Sequence, residues 1–435
     1  MRPQGLMAAM WLVAAATPAR AQQQDTTTQP LQITLPDAIQ RALQVQPNMV
    51  TAEGNVRSAN AQRLASTGAF LPTLSTSGGS TRSGGTQVVP GGGLAPFPAR
   101  TNFTLTLAAS WDLFTGFRRL ASRRAAGASQ DAADAGLINQ RYQTTLLTKQ
   151  AFYNALADEE LVHVAEAQLA RTRQELQISV DKLRVGSATR SDSLRSAVDF
   201  GNARIALLQA QSNLAFAQAT LGRQIGVDRP VRAVPDTVLP PLPDTTGLRD
   251  AILGTAPQVR QADAFARAAR AGVWVSRASY WPTFSTSLTK GYSGSQAPWT
   301  SGSTFPDSWS VRFGFNWTLF NGFAREQGVT NASVSRDVAE AEAADTRRAV
   351  SASLTQAISG LETASTQLEI AQANLAAATE DMRVQQERYR VGASTILDLL
   401  TSQAALTTAG VNVVQTRFNY LISRATLEAL VGHGL

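Results

Sequence analysis

The 435-residue chain carries a second copy of itself, and this duplication limits its possible folds more than any other feature. Phe70-Leu71-Pro72-Thr73-Leu74-Ser75-Thr76 returns 210 residues on as Tyr280-Trp281-Pro282-Thr283-Phe284-Ser285-Thr286. Trp111-Asp112-Leu113-Phe114-Thr115-Gly116-Phe117 returns 206 residues on as Trp317-Thr318-Leu319-Phe320-Asn321-Gly322-Phe323. Arg184-Val185-Gly186 and residues 221–226 recur at that same 206-residue offset, and Asp37-Ala38-Ile39 is echoed by Asp250-Ala251-Ile252. Such an order describes two large units, not a solenoid of short repeats. The units run from 35 to 226 and from 248 to 435, joined by a proline-rich linker at 227–247.

Residues 1–21 read as a secretory signal. Arg2 is its positive end, Leu6 to Ala16 its apolar run, and Ala19-Arg20-Ala21 its small-residue cleavage site. Residues 22–34 are an N-terminal leader segment before the first unit. Beyond residue 21 no stretch of 18 apolar residues occurs, so no transmembrane helix is expected. The exported chain is periplasmic, extracellular or inserted in a membrane as strands.

Composition removes several chemistries. Cysteine is absent and histidine occurs only as His163 and His433, which excludes thiol nucleophiles and zinc–cysteine sites. No catalytic residues, cofactor or metal site are expected. The formal net charge is +7, but the arginines are scattered and form no dense run, so nucleic acid is not an expected partner.

Periodicity supplies the elements. Phe103, Leu105, Leu107, Ala109, Trp111 and Leu113 alternate with polar or small residues, as do Trp309, Val311, Phe313, Phe315, Trp317 and Leu319. Period two over that length predicts a strand with one apolar face. The length suits a membrane strand of about 9–11 residues, and the tryptophans suit interface girdles. A soluble sandwich strand would show the same alternation. Weaker strands, rich in Thr, Ser and Gly, are expected near 70–83 and 280–291, with Gly/Pro-rich loops at 84–100 and 294–306.

No proline occurs from Ala99 to Arg229 or from Asp307 to Leu435, which points to long helices. Val162, Leu169, Leu176 and Leu183 form a heptad series, as do Leu368, Leu375, Met382 and Tyr389. Phe200, Leu207, Leu214 and Leu221 follow, with Leu406, Val413, Tyr420 and Leu427 as counterparts. A sustained seven-residue repeat predicts coiled-coil packing. Gly186 and Gly392 end the outgoing helices, and Ser191 or Asp192 caps the first return helix. The outgoing leg from 118 to 183 spans about 100 Å. A return helix from 193 stacked on a single opening helix at 35–67 would match it.

Each unit is therefore helix, strand, strand, helix, helix. Four membrane strands cannot close a barrel, since small barrels need about eight, and open sheet edges are not tolerated in lipid. Copies of the chain must share one barrel that continues into a helical tube.

Nearly the whole mature chain resembles the TolC-like outer-membrane efflux protein family. The resemblance rests on the duplicated layout, the Leu35-Pro36-Asp37-Ala38-Ile39 opening and the Trp-x-Leu-Phe-x-Gly-Phe strand ends. It extends to the tips at 185–189 and 391–400, and to Arg417-Phe418-Asn419-Tyr420-Leu421. It implies an α+β membrane protein in the outer membrane of a Gram-negative bacterium. A homotrimer would share a twelve-stranded barrel in outer-membrane lipid that continues into a periplasmic coiled-coil barrel. It implies a periplasmic adaptor and an inner-membrane pump as partners, in drug efflux or type I secretion. The adaptor-facing turns would hold Arg184, Val185, Gly186, Thr189 and Asp192, and Arg390, Val391, Gly392 and Thr395. Asp398 falls on an aspartate that rings the closed entrance in the family. Thr401 stands where a second aspartate often lies, and Ser394 where a gate-tethering arginine lies. A solvated or capping role for Asp398 stands beside the gate role. The alternative for the whole chain is a periplasmic coiled-coil adaptor or structural protein.

Overall fold

The computed structural model describes residues 30–88, 90–235, 239–244, 254–296, 300 and 306–435. The signal peptide, most of the leader segment and the Asp250-Ala251-Ile252 echo lie outside these residues.

Strand β1 (Leu31–Ile33) leads into helix α1 (Leu35–Val45) and helix α2 (Pro47–Gly68). The single opening helix expected at 35–67 is thus two. A proline disfavours helical backbone at the residue before it, and Gln46 is extended at φ −65°, ψ 129°. Strands β2 (Thr73–Val88) and β3 (Leu94–Thr115) form a long hairpin. The loop expected at 84–100 is mostly strand. Pro96 and Pro98 lie two apart, so both lack the N–H on the same side of β3. Partner β5 pairs only from Phe103 onward, so β3 has one unpaired side at these prolines. Gly84 fits the register shift between Ser83 and Gly85, where a Cβ would lie 2.9 Å from the Ala99 Cα.

The 67-residue helix α3 (Arg118–Arg184) and helix α4 (Arg190–Gln224) form the first hairpin. Strand β4 (Val231–Ala233) and helix α5 (Pro257–Arg277) follow. Strands β5 (Thr283–Gly294) and β6 (Asp307–Asn316) make the second strand pair. Helices α6 (Ala324–Arg390) and α7 (Ile396–Val431) make the second helical hairpin. β6 stops short of the expected Leu319: its last partner is Thr283, and Pro282 before it has no N–H to continue the ladder. The Trp317 indole donates instead to the Tyr280 carbonyl (3.2 Å), as Trp111 does to that of Phe70 (2.9 Å).

The sheet order is β2-β3-β5-β6, antiparallel throughout. Register puts Leu105 and Leu107 of β3, Leu288 of β5, and Val311 and Phe313 of β6 on one face. After the register shift at Asp112, Phe114, Phe284 and Phe315 form a row at the end of that face nearest the helices. Tyr292 and Trp309 lie toward the other end. The opposite face carries Thr106, Ser287, Arg312 and Ser310. Among the described residues no helix is long and apolar enough to cross a membrane.

The expected linker and leader segment hold structure of their own. β1 pairs in parallel with β4, Leu31 against Val231 and Ile33 against Ala233. The Tyr420 hydroxyl and Arg424 guanidinium of α7 donate to the carbonyls of Pro240 and Pro241, 2.9 Å each. The β1–β4 pair packs with Phe152, Leu221, Ile225 and Phe418 as one core.

The stacked helix line is present in both units. The Gln46 side-chain amide donates to the Gln224 carbonyl, bringing the start of α2 to the end of α4. Gly226 and Gly432 are left-handed (φ 72° and 81°), with Val45 and Pro257 so close that a Cβ would meet each at 2.8 Å.

The heptad stripes differ between units. Leu368, Met382 and Tyr389 are buried as expected, and Leu375 is half-buried. In α3 Val162 is buried as expected, but Leu169, Leu176 and Leu183 are only half-buried, while Thr172, Glu175 and Ser179 are buried. α3 packs on both α4 and α7. Short or polar side chains occupy the seam between two neighbours, and the leucines take its shoulders.

Candidate functional site: the hairpin tips and the sheet face

Both tips are built from the same local rules. Val185 and Val391 cap α3 and α6, and Gly186 and Gly392 follow at φ 76° and 80°. Gly186 N–H donates to the Leu183 carbonyl (3.0 Å) and Ser187 N–H to that of Lys182 (2.9 Å). Gly392 and Ala393 repeat this on Tyr389 and Arg388 at 3.2 and 2.8 Å. This paired bond is the Schellman ending, which uses a left-handed residue and satisfies carbonyls the helix leaves open.

The next helices begin with capping boxes. Thr189 is the N-cap of α4 and Thr395 that of α7, so Ser191 is not the cap, and Asp192 serves as the third-residue partner. The Thr189 N–H and hydroxyl donate to Asp192 Oδ2 at 3.0 and 2.7 Å. Thr395 makes the same bonds to Asp398 Oδ2 at 3.0 and 2.7 Å, and Ser394 Oγ adds a third at 3.2 Å. These donors, with Arg388 nearby, hold the exposed Asp398 carboxyl below the usual carboxylate range. The Thr189 donors do the same for Asp192. Thr401 Oγ1 donates to the Leu397 carbonyl (2.8 Å), within its own helix. Ser394 also donates to Gln385 Oε1 (3.0 Å). Arg184 and Arg390 pair with Asp181 and Glu387 on their own helices.

Two features near the tips escaped the sequence reading. Lys182 Nζ donates to the Tyr389 carbonyl and lies 3.9 Å from the centre of the Tyr389 ring, tying α3 to α6. Burial, followed by the charges of Asp192 and Glu175, raises the Tyr389 hydroxyl pKa. The available signal was Lys182 itself, one of three lysines in the chain. Glu175 is the second feature, 2% exposed inside the α3 seam. The Gln403 amide of α7 donates to it, at 3.2 Å to Oε1, in the orientation that satisfies both groups. Burial and the Asp199 charge push its pKa up to about 7, against the opposing pull of Arg171. Ser179, its neighbour one turn on, is also buried.

At the other end of the helices the apolar face of the sheet is exposed, with Trp309 at 73% and Phe313 at 76%. β2 and β6 are its edges.

The model of the outer membrane efflux protein family matches residues 38–227 and again 248–433. The chain belongs to the outer membrane efflux protein family. This efflux protein is 27% identical over 383 residues to protein CyaE of Bordetella pertussis, covering 86% of this chain and 78% of that one. It is 27% identical over 428 residues to the pyoverdine export outer membrane protein OpmQ of Pseudomonas aeruginosa, covering 92% and 85%. Against the probable efflux pump outer membrane protein TtgC of Pseudomonas putida it is 25% identical, covering 65% of this chain and 59% of that one. Its fold matches the outer membrane channel CmeC of Campylobacter jejuni with TM-score 0.79 and 17% identity, covering 92% and 86%. The open state of the Neisseria gonorrhoeae MtrE channel matches with TM-score 0.74 and 19% identity, covering 92% and 89%. Family and fold place the efflux protein in the outer membrane, and the adaptor alternative falls.

Proposed function

We propose that this efflux protein is a homotrimer and the exit duct of a tripartite efflux or type I secretion system. It would carry small molecules or proteins outward from the periplasm or an inner-membrane pump. The observation that carries the trimer is the four-stranded sheet, open at β2 and β6, with an exposed apolar face. Lipid does not tolerate those open edges, and four strands are too few to close. Three copies give twelve strands, with the helical hairpins below them enclosing a tunnel of about 100 Å.

The hairpin tips are the docking surface for a periplasmic adaptor, through Arg184, Val185, Gly186, Thr189, Asp192, Arg390, Val391, Gly392 and Thr395. Efflux pump relatives by name support such partners. Asp398 supplies a ring of carboxylates at the periplasmic entrance, flanked by Ser394 and Thr401. A ring of ionised carboxylates at a narrow mouth selects cations. The depressed Asp398 pKa favours the charged form there, while its Oδ2 is engaged in the cap.

Single-channel conductance in planar bilayers, native against Asp398→Ala, tests both parts. Small cation-selective openings that widen or lose selectivity in the variant are expected. Openings untouched by the substitution would remove Asp398 from the entrance. Folded protein that never conducts would sink the duct.

A further inference from the structure

Where the sheet meets the helices, α3 and α5 enclose a cavity of about 820 Å³ with a side wall from Val329 of α6. Its lining is mostly apolar: Phe117 and Leu120 from the start of α3, Trp274 and Trp281 from the end of α5 and just beyond. Three arginines are also among the lining residues, Arg124 from α3 and Arg270 and Arg277 from α5, and no Asp or Glu is.

The cavity continues the apolar face of the sheet. Phe315, Phe284 and Phe114 form one row of rings on the apolar face, with centroids 5.0 and 6.3 Å apart. Phe114 meets Phe117 edge-on at 5.2 Å, and Phe117 meets Trp281 edge-on at 5.6 Å. The rings thus run unbroken from the apolar face into the cavity wall. The cavity also lies inside the protomer's own helix layer. The packing order is α2-α3-α5-α6, so a neighbouring copy would meet α2 or α6 and leave the α3–α5 groove open.

The polar groups suit a phosphate at headgroup depth. The Trp274 indole is 63% exposed, and the Arg277 guanidinium lies 5.2 Å from its centroid. Tryptophan concentrates at the membrane–water interface, and arginine binds phosphate through paired donors. Arg270 is neutralised by Glu340 at 2.5 Å, whereas Arg124 and Arg277 have no ion pair among the described residues.

The duplication supplies an internal comparison. At the 210-residue offset Arg270, Trp274 and Arg277 correspond to Asn60, Leu64 and Thr67, and at 206 residues Arg124 corresponds to Thr330. Phe117, Gly116 and Trp111 do recur, as Phe323, Gly322 and Trp317. The corner is therefore common to both units, while the arginine–tryptophan set belongs to one groove. The fold does not require it.

We propose that this groove is a binding site for one anionic phospholipid of the membrane leaflet next to the helical barrel. The lipid phosphate lies on Arg124 and Arg277, and an acyl chain fills the space between Phe117, Leu120 and Trp274. The site rests on the outer-membrane location and not on the trimer or the Asp398 ring.

The test uses the delipidated full chain in a neutral detergent, with lipid retention read by native mass spectrometry. Dioleoyl-phosphatidylglycerol is compared with dioleoyl-phosphatidylcholine, which has the same chains. One phosphatidylglycerol per chain is expected to be retained at least tenfold more tightly. Arg124→Gln with Arg277→Gln brings phosphatidylglycerol down to the phosphatidylcholine level at unchanged helical circular dichroism. Leu120→Trp keeps both arginines but fills the cavity, and it also abolishes retention; it decides the matter if the double variant fails to fold. Equal retention of the two lipids overturns the proposal, as does wild-type retention by either variant. Displacement of the lipid by equimolar glycerol 1-phosphate overturns it too, because the site would then be one for free phosphate.

Discussion

Glu175 is the residue whose chemistry departs furthest from its solution behaviour. An unfolded chain ionises this carboxyl near 4.5, whereas the fold keeps it protonated up to about 7. Its folded pKa is raised, so its stabilising contribution is complete below about 4.5 and is lost as pH rises through about 7. Burial also raises Asp199, which acts with the same sign. At about 1.4 kcal/mol per unit, Glu175 alone sets a ceiling of about 3.5 kcal/mol. Glu175→Gln should flatten the fall in melting temperature between pH 4.5 and 7 and raise it at pH 8. A variant whose melting curve keeps the wild-type pH dependence would show that another group governs it. Thr395 acts through the cap: Thr395→Ala should cost about 1 kcal/mol, read by chemical denaturation, with Thr189→Ala as its equivalent in the first unit.

At the scale of elements, joints repeat more faithfully than surfaces. Arg119 and Arg325 start the two longest helices and reach back to the preceding strand end. Arg119 donates to the carbonyls of Ala69 and Leu113 at 3.2 and 3.0 Å, and Arg325 to that of Thr318 at 3.1 Å. Each also stacks on an aromatic ring, Phe70 at 5.1 Å and Tyr280 at 4.3 Å. Replacing either by alanine should cost about 1–2 kcal/mol through lost charged hydrogen bonds and stacking. The double variant should be additive in thermal melts, because the corners are separate. The Lys182–Tyr389 tie joins hairpins instead of stabilising one. Lys182→Met should therefore loosen the tips with little change in helical content. Faster amide exchange confined to residues 180–192 and 386–398 would register it, and unchanged exchange would deny the tie any role.

At the scale of the whole molecule, the apolar sheet face needs lipid and the sheet edges need partner strands. Val311→Arg puts a charge on that face and should destabilise by about 2–4 kcal/mol if it lies at mid-bilayer depth. Its neighbour Arg312 points to the opposite face, so Arg312→Gln should be near neutral. Urea unfolding in lipid vesicles separates the two, and equal effects would mean that the lipid face has been misassigned.

Much of this was legible in residue order. Period two along Phe103–Leu113, the heptad along 368–389, and Gly186 and Gly392 at the turns are local signals, because backbone geometry acts over a few residues. Pro47 was an equally local signal that breaks the opening helix. The parallel pairing of Leu31–Ile33 with Val231–Ala233 joins segments some 200 residues apart that carry no periodic mark. The inversion of the α3 stripe, with Thr172, Glu175 and Ser179 inside and three leucines on the shoulders, depends on α7 arriving as a second neighbour. The same holds for Lys182 on Tyr389 and for the groove beside Trp274, each made by helices far apart in the chain. The sequence by itself determined the long helices, the strand pairs, their duplication and the apolar strand face, since these follow from propensity and period. Only the tertiary structure decided which faces are shared, because burial belongs to pairs of elements and not to either one.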